Sequence, residues 1–320
     1  MQNNLIEIKN LFIEYQVEGA MQEKTTVHAV NDLSLDIRQG EILSIAGESG
    51  CGKSTLAKAI LRLIDSKSGE IVLVEGYKKQ NVLNLNKKEL NEFRKNAQII
   101  FQNPYSSLNP KMKIYDILEE PLIINEKSLT KAQRRERVVE TIKQVGLDES
   151  VLSLYPHEFS GGQRQRIAIA RSLILKPKFI LADEPVSALD VSIQAQIINL
   201  LNDLKEKFNL TFLFISHDLS VIRYLSDRVA IMYLGEIVEL GTSDDIFNNP
   251  KHPYTQALLS ANPGNKGEKI ILKGELPSPT NLPEGCKFHT RCPHVMEVCK
   301  NVMPSKTDFS DTHCAYCHLY

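Results

Sequence analysis

Residues 47–54 read Gly47-Glu48-Ser49-Gly50-Cys51-Gly52-Lys53-Ser54, which fits the phosphate-binding loop pattern G-x-x-x-x-G-K-[ST]. Just before this loop, the short apolar run at residues 42–46 predicts a buried strand, and residues 55–63 after it have helical apolar spacing. Glycines let the backbone N–H groups curl around phosphate oxygens, and the start of a helix adds partial positive charge. Lys53 can reach the β and γ phosphates, and the Ser54 hydroxyl can hold Mg²⁺. The first prediction is therefore a nucleotide phosphate site.

Length and composition exclude several classes of protein. A chain of 320 residues is long enough for one large domain with an appendage, or for two domains. The net charge of −1 gives no electrostatic case for nucleic acid as a partner. No run of about 18 apolar residues predicts a membrane span, and the charged residues among the first 16 are unlike a secretory signal. These features predict a protein of the cytosol.

The hydrophobic pattern alternates between strands and helices. Residues 5–11 predict a strand, residues 27–37 predict one or two strands broken at Asn31-Asp32, and the polar residues 16–26 predict a loop between them. A turn is predicted at Ser68-Gly69. Further strands are predicted at residues 70–74, 97–101, 179–182, 211–215, 229–233 and 236–239. Helical spacing fills most of residues 115–175, with a solvated charged face at 130–145, and returns at residues 192–208. Continuous apolar strands between helices indicate an α/β fold with a parallel sheet covered on both faces.

Polar residues follow several of these strands at the end where parallel sheets bind ligands. Ser54, Gln102, Asp183 and His217 each come just after an apolar run, which predicts one shared site. A carboxylate at the tip of a strand, as at Asp183, can bind Mg²⁺ directly or through water. Glu184, one residue on, can act as a general base toward an attacking water. The alternative is a pair of solvated acids at the end of a strand.

A second helix start with anion-binding character lies at Ser160-Gly161-Gly162-Gln163. Ser160 is a natural helix cap, and the two glycines allow close approach of another backbone. Residues 164–171 then have a strong helical pattern. Alone, this segment would be no more than a capped helix.

Together these motifs carry a resemblance to a known family. The phosphate loop, Gln102, residues 159–163, residues 180–184, residues 187–190 and His217 occur in the order found in nucleotide-binding subunits of ATP-binding-cassette (ABC) transporters, which the chain resembles over about residues 1–250. The resemblance implies a P-loop ABC-type nucleotide-binding domain with an antiparallel β-subdomain and a helical signature subdomain at about residues 103–175. It also implies a head-to-tail pair of cassettes, with each ATP between one phosphate loop and the partner's signature segment.

The resemblance also implies roles for individual residues. Glu184 would activate water as the catalytic base, His217 would contact the γ-phosphate, and Asp190 would couple the two sites across the interface. Tyr15 would stack on adenine, although the polar loop at residues 16–26 lengthens its distance to Gly47. Phe159 replaces the commonest leucine at the start of the signature. The implied ATP-binding residues are Tyr15, Gly47, Glu48, Ser49, Gly50, Cys51, Gly52, Lys53, Ser54, Thr55 and Gln102. The implied contacts to the partner's ATP are Ser160, Gly161, Gly162 and Gln163, and the implied Mg²⁺ ligands are Ser54, Gln102 and Asp183.

A narrower resemblance points to one branch of that family. Residues 102–110, residues 249–255 and the stretch from Cys286 to Pro293 are similar to segments of oligopeptide/dipeptide importers. This implies an ATP-hydrolysing subunit that energises peptide import at the cytoplasmic face of the cell membrane. Its implied partners are a second ABC ATPase, different or identical, two transmembrane permease subunits and an extracytoplasmic solute-binding protein. The loop after Gln102 would contact the permease.

Three other functions are weighed against peptide import. An importer of nickel or another small solute shares the cassette motifs of this branch. A non-transport ABC protein, such as a component of a phosphonate-degrading complex, would lack the membrane partners. A DNA-repair or chromosome-handling cassette is not supported, because the sequence has no long coiled coil and no basic patch.

The tail is unusually rich in cysteine. Prolines and glycines become frequent past residue 241, so a boundary is predicted near residue 250, with a small Cys-rich C-terminal extension at residues 251–320. Structural zinc usually shows two close ligand pairs, whereas here only Cys314 and Cys317 form one; wider spacings suit an iron–sulfur cluster at least as well. The importer resemblance implies a [4Fe–4S] cluster on Cys286, Cys292, Cys299 and Cys317, with Cys314 as an extra thiol. The alternative is a set of reduced thiols without metal.

Overall fold

The computed structural model describes residues 3–18, 24–103, 107–262 and 269–320. They divide into a first unit, Met1–Asn84 with Ile215–Tyr320, and a second unit, Leu85–Phe214. The part of the predicted permease-contacting loop at residues 104–106 lies outside the described residues. The predicted boundary near residue 250 stays a prediction, since residues 251–320 cluster with the first unit.

The first unit contains two sheets and the phosphate loop. Its strands are β1 (Asn4–Glu18), β2 (Lys24–Arg38), β3 (Ile42–Ala46), β4 (Ser68–Glu75), β5 (Lys78–Asn81), β9 (Arg228–Tyr233), β10 (Glu236–Thr242), β11 (Lys306–Asp308) and β12 (Cys314–Tyr316). Its helices are α1 (Lys53–Ile60), α7 (Leu219–Leu225), α8 (Ser243–Asn248), α9 (Pro253–Ser260) and α10 (Glu297–Asn301). One sheet has the antiparallel order β2-β1-β4-β5. In the other, β3 pairs in parallel with β9, and β10, β12 and β11 continue antiparallel.

The first two strands correct two predictions. Residues 16–18 and 24–26 are strand rather than loop, and pair as Gln16 with Thr26 and Val17 with Thr25. The predicted break at Asn31-Asp32 is an irregularity within one continuous strand, where the β1–β2 register shifts between Leu11 and Ile13. The predicted turn at Ser68-Gly69 is also strand; a side chain on Gly69 would clash with the Asn10 carbonyl at 2.4 Å.

The C-terminal extension is built into the first unit. Strand β12 adds to β10, pairing Ala315 with Glu239. The fully buried Glu239 carboxylate accepts from the backbone N–H of His252 at 2.9 Å and lies 2.8 Å from Nε2 of buried His313. Because a carboxylate is costly to bury without partners, this network fixes residues 252 and 313 against the hairpin of β9 and β10.

The second unit contains the helical region. Its strands are β6 (Ala97–Ile100), β7 (Phe179–Asp183) and β8 (Thr211–Ile215), with β7 between the other two and parallel to β6. Its helices are α2 (Lys87–Asn96), α3 (Ile114–Asn125), α4 (Lys131–Gln144), α5 (Gly161–Leu173) and α6 (Val191–Phe208). The predicted charged helix is confirmed as α4, which buries Val138, Thr141 and Ile142 and exposes most of its charged side chains. The predicted strands at 42–46 and 211–215 are confirmed as β3 and β8, both fully buried.

Candidate functional site

The phosphate loop lies where the sequence places it, between buried strand β3 and helix α1. Two of its glycines are required by close approach of other backbone. A side chain on Gly47 would meet the Met232 carbonyl oxygen at 2.1 Å, and one on Gly52 would meet the Ala29 carbonyl oxygen at 2.2 Å. Gly52 also has φ +107°, a region that favours glycine. The loop is therefore a narrow backbone cradle that only glycine can build.

Lys53 points its ammonium back into this loop. Its Nζ donates to the carbonyls of Gly47 at 2.8 Å and Glu48 at 2.9 Å, and lies 3.7 Å from Cys51 Sγ. Helix α1 has no side-chain cap and no acidic residue in its first turn. The loop therefore combines a cation with the start of an uncapped helix, and both attract an anionic phosphate. Burial raises the pKa of the Cys51 thiol, so this side chain is neutral at physiological pH.

The second unit brings together two predicted residues that lie 82 positions apart. Gln102 Nε2 donates to Glu184 Oε2 at 2.8 Å, so the amide orients the carboxylate. Glu184 follows Asp183, the last residue of β7, and has φ +47°. This left-handed backbone is costly for a residue with a β-carbon and is found mostly at functional positions. The Ser187 hydroxyl and N–H both donate to the Glu184 carbonyl, which holds the conformation.

The signature segment is a capped helix start at the surface of the second unit. Ser160 and Gln163 form a reciprocal capping box at the start of α5, and both side chains are exposed. Gly162 is required by packing, since a side chain there would meet Cγ2 of Ile193 in α6 at 2.5 Å. Gly161 is the first residue of α5 and is partly exposed. Two small residues, Gly161 and Gly162, thus lie between the exposed Ser160 and Gln163 side chains.

Asp190 is exposed at the start of α6 and makes no side-chain capping bond. The loop before it is held by Gln194, whose Nε2 donates to the carbonyls of Val186 at 3.1 Å and Leu189 at 2.9 Å. The sequence analysis missed Gln194, because a glutamine in an amphipathic helix carries no signal of its own.

The other predicted residues lie on several elements. Tyr15 is half-buried in β1, paired with Val27. His217 is exposed between β8 and α7. Ser54 is exposed, and Thr55 partly exposed, in the first turn of α1. Two residues of the tail that the sequence did not single out, Tyr254 and Arg291, contact the phosphate loop at Glu48.

The iron–sulfur prediction is not supported by the structure. Within residues 3–18, 24–103, 107–262 and 269–320, no group of three or more His, Cys, Asp or Glu side chains is arranged to hold a metal ion. Burial raises the pKa of Cys286 to about 11 and also raises the pKa values of Cys292 and Cys317. Without a bound metal these side chains are therefore neutral thiols at physiological pH. Cys314 belongs to strand β12 and is buried. The spacing of the cysteines in the sequence could not decide between free thiols and a metal centre.

An open groove marks the surface of the second unit. Its volume is about 290 Å³, and its lining includes Gln98, Phe101, Leu108, Pro121, Ile124 and Arg171. Phe101 and Ile124 are 44% and 62% exposed, which is unusual for large apolar side chains. At the same groove, Arg171 donates to the Ser107 carbonyl at 2.9 Å and pairs with Glu120 at 3.3 Å. Among the described residues, no helix is both long and apolar enough to cross a bilayer.

Comparison with known proteins gives matches along the chain. The family model described as "ABC transporter" matches residues 30–187, and the model of the oligopeptide/dipeptide transporter C-terminal region matches residues 238–299. The chain is 48% identical to the oligopeptide transport ATP-binding protein AppF of Bacillus subtilis, over 100% of this chain and 98% of that protein. It is also 48% identical to the dipeptide transport ATP-binding protein DppF of Escherichia coli, over 97% of this chain and 92% of that protein.

Solved structures agree with the fold. The dimeric structure of MJ0796, a bacterial ABC transporter cassette, is 31% identical with a TM-score of 0.65, and covers 74% of this chain and 98% of its own. A dimeric post-hydrolysis state of MJ0796 bound to ADP and phosphate is 32% identical with a TM-score of 0.64, and has the same coverage.

Proposed function

This chain belongs to the ATP-binding proteins of ABC transporters, in the oligopeptide/dipeptide branch, and from that premise we propose that it is the ATPase subunit that energises peptide import. The observation that carries the proposal is the extent of the match. Identity of 48% is found over alignments that cover 100% and 97% of this chain, in relatives named for oligopeptide and dipeptide transport. This supports peptides over nickel or other small solutes, and transport over a soluble cassette.

In the first unit, the phosphate loop binds the nucleotide. The glycine cradle and the uncapped start of α1 fit a polyphosphate, and Lys53 exchanges its weak contact with Cys51 Sγ for a phosphate oxygen. The residues assigned to ATP are Gly47 to Thr55, with Ser54 a ligand of Mg²⁺ and Tyr15 the adenine platform. His217 is assigned to the γ-phosphate.

In the second unit, Glu184 is the general base. Bound MgATP supplies the phosphoryl group that is transferred to water. The Glu184 carboxylate accepts the proton of that water, and Gln102, which donates to the carboxylate at 2.8 Å, orients it. Asp183 and Gln102 are assigned to Mg²⁺, consistent with the preference of that ion for oxygen ligands.

A second cassette completes each site. The exposed Ser160 and Gln163 and the small Gly161 and Gly162 are assigned to the partner's ATP, and Asp190 to the contact between cassettes. The dimeric cassette structures support such a pair. We assign the partner as a different ABC ATPase; a pair of identical chains is the alternative that a mass measurement of the complex decides.

The groove in the second unit is assigned to the permease. Exposed Phe101 and Ile124 give apolar surface, and Arg171 and Glu120 give polar groups in the same groove, which suits an amphipathic segment of a membrane subunit. The chain would then lie at the cytoplasmic face of the membrane, bound to two permease subunits that receive peptide from an extracytoplasmic binding protein.

The catalytic assignment is tested with Glu184→Gln. Because the amide cannot accept a proton, ATP turnover should fall at least about 100-fold while MgATP binding is kept. Glu206→Gln, which changes an exposed carboxylate of α6, is the matched control and should turn over ATP like the wild type. Sustained hydrolysis by Glu184→Gln would rule out Glu184 as the base.

The transport assignment is tested by isolating the native chain from detergent-solubilised membranes. We expect two permease subunits and a second cassette to be recovered with it, and ATPase activity of the reconstituted complex to rise when peptide-loaded binding protein is added. Recovery in the soluble fraction with enzymes and no membrane subunit would overturn transport and leave the ATPase assignment standing.

A further inference from the structure

Two residues of the C-terminal extension bind one residue of the phosphate loop. The Glu48 carboxylate accepts from Nη1 of Arg291 at 2.9 and 3.1 Å, and the Glu48 backbone N–H donates to Tyr254 Oη at 2.8 Å. The side chain and the main chain of Glu48 are thus both held from outside the loop. The partners lie 206 and 243 residues further along the chain.

Both partners are rigidly placed. Tyr254 is fully buried, and its ring contacts those of Tyr233 and Phe288 at centroid distances of 4.7 and 5.4 Å. Phe288 is itself buried and packs edge-on against Tyr233 at 5.3 Å. Arg291 follows Phe288 by three residues, and its guanidinium lies 6.0 Å from the centre of the Tyr233 ring. The aromatic cluster therefore fixes where the arginine and the tyrosine hydroxyl can reach.

The negative charge of Glu48 would oppose phosphate binding if Arg291 did not pair with it. A carboxylate inside a phosphate-binding loop carries the same sign as the ligand, and repulsion between like charges at short range weakens binding. Its partner Arg291 is mostly buried, with 11% of its side chain exposed, so solvent screens the pair less than a surface ion pair. Arg291 both offsets the negative charge and draws the carboxylate toward the tail.

The Tyr254 bond acts on the main chain. Phosphate loops bind through backbone N–H groups, and the Glu48 N–H is already committed to Tyr254 Oη. This bond fixes the peptide orientation at the second residue of the loop. Burial raises the pKa of Tyr254, so its hydroxyl stays neutral at physiological pH.

We propose that Arg291 and Tyr254 are positioning residues of the nucleotide site, so that the affinity of this chain for MgATP is set in part by its C-terminal extension. The proposal deepens the ATP-binding assignment and rests on it. It gives the extension a role in nucleotide binding that does not depend on a metal centre.

The test is a double-mutant cycle in the full-length chain, with the dissociation constant of MgATP measured by calorimetry. Arg291→Ala should weaken MgATP binding about tenfold, since it leaves the Glu48 charge uncompensated. In a Glu48→Gln background the same Arg291→Ala change should cost less than about threefold, because the charge is gone. Lys300→Ala, which removes an exposed ion pair with Glu297 in the same tail, is the control and should not alter binding.

A purely structural role for Arg291 predicts a different pattern. It would lower the melting temperature without nucleotide and leave the MgATP affinity unchanged in both Glu48 backgrounds, and that result would overturn the proposal. If Arg291→Ala does not fold, the pair Arg291→Lys and Arg291→Gln gives the same comparison, with the lysine expected to bind more tightly. Tyr254→Phe, which keeps the ring and removes the acceptor, should weaken binding several-fold by leaving the Glu48 N–H unpaired.

MgATP binding by the wild-type chain distinguishes failure of the proposed function from failure of this inference. Failure of the wild-type chain to bind MgATP would overturn the proposed function and this inference with it. Tight binding by the wild type and equal binding by Arg291→Ala would overturn the inference alone.

Discussion

Glu184 has a strained backbone conformation and a carboxylate that accepts a hydrogen bond from Gln102. Its φ of +47° lies in the left-handed region, where a residue with a β-carbon loses about 1–2 kcal/mol relative to the right-handed form. The two bonds from Ser187 to its carbonyl oppose relaxation. The carboxylate is then presented beyond the end of β7, toward Gln102, rather than along the strand. Strain at this position is consistent with a catalytic base whose direction matters more than local stability.

This strain predicts a difference in stability between two variants that lack the Glu184 carboxylate. Glu184→Asn and Glu184→Gln both remove the carboxylate, but asparagine tolerates the left-handed region better than glutamine does. We expect Glu184→Asn to have a free energy of unfolding about 1 kcal/mol higher than Glu184→Gln, measured by urea denaturation at neutral pH. Equal stability of the two variants would mean that the backbone at this residue is not strained in solution.

At the scale of elements, helices α5 and α6 meet at a glycine. The Cβ of an alanine at Gly162 would lie 2.5 Å from Cγ2 of Ile193, so the two helices approach as closely as they do because Gly162 has no side chain. The same contact sets the position of the signature segment relative to the loop that ends at Asp190. Packing of this kind tolerates added volume poorly.

Gly162→Ala should therefore destabilise the protein by about 1–3 kcal/mol, as measured by chemical denaturation. Truncating the opposing side chain tests the cause. In an Ile193→Ala background, where Cγ2 is absent, Gly162→Ala should cost less than about 1 kcal/mol. If Gly162→Ala still lowers the free energy of unfolding by about 1–3 kcal/mol in that background, its cause is not the contact between Gly162 and Ile193.

The elements that could be predicted from sequence are those with buried, continuous apolar runs. Strands β3 and β8 have the predicted bounds because every residue in them is buried. The outer ends of β1 and β2 were predicted as loop because they form a polar, mostly exposed ladder. Helix α2 gave no signal, since Phe93 is its only buried side chain among those described. The solvent exposure of these segments, rather than a weak strand or helix propensity, removes the hydrophobic pattern that would predict them.

At the scale of the whole molecule, the sequence indicates candidate site residues where they lie in local motifs and gives no signal where they come from distant segments. The phosphate loop, Glu184 and Ser160 each sit in a short stretch that carries its own chemistry. Tyr254 and Arg291 reach the loop from more than 200 residues away, and only the fold brings them there. The described part of the chain does not support the iron–sulfur prediction, which rested on sequence spacing alone, and spacing does not show where the thiols lie.

A partly buried glutamate in the first unit makes the stability of the protein depend on pH. Glu236 lines a cavity of about 320 Å³ together with Asp32, Lys287 and His252. Burial raises the pKa of Glu236 to about 7, with a smaller raising effect from Asp32 and an opposing effect from Lys287. Between pH 4.5 and about 7, the folded chain keeps a proton that the unfolded chain has lost. The folded state binds more protons there, so the free energy of unfolding falls as pH rises through this window.

Glu236→Gln should remove that dependence. Relative to the wild type, the variant should gain about 2–3 kcal/mol of unfolding free energy between pH 5 and pH 8 and no more above it, as measured by denaturant titration at each pH. Burial lowers the pKa of His252 to about 4, which makes stability rise with pH between 4 and 6.5. That effect is present in both proteins and largely cancels in the difference.

Glu275→Gln, at an exposed position of the same extension, is the control, and its free energy of unfolding should change with pH as that of the wild type does. A constant difference between Glu236→Gln and wild type across the range would show that Glu236 ionises alike in the folded and unfolded chains.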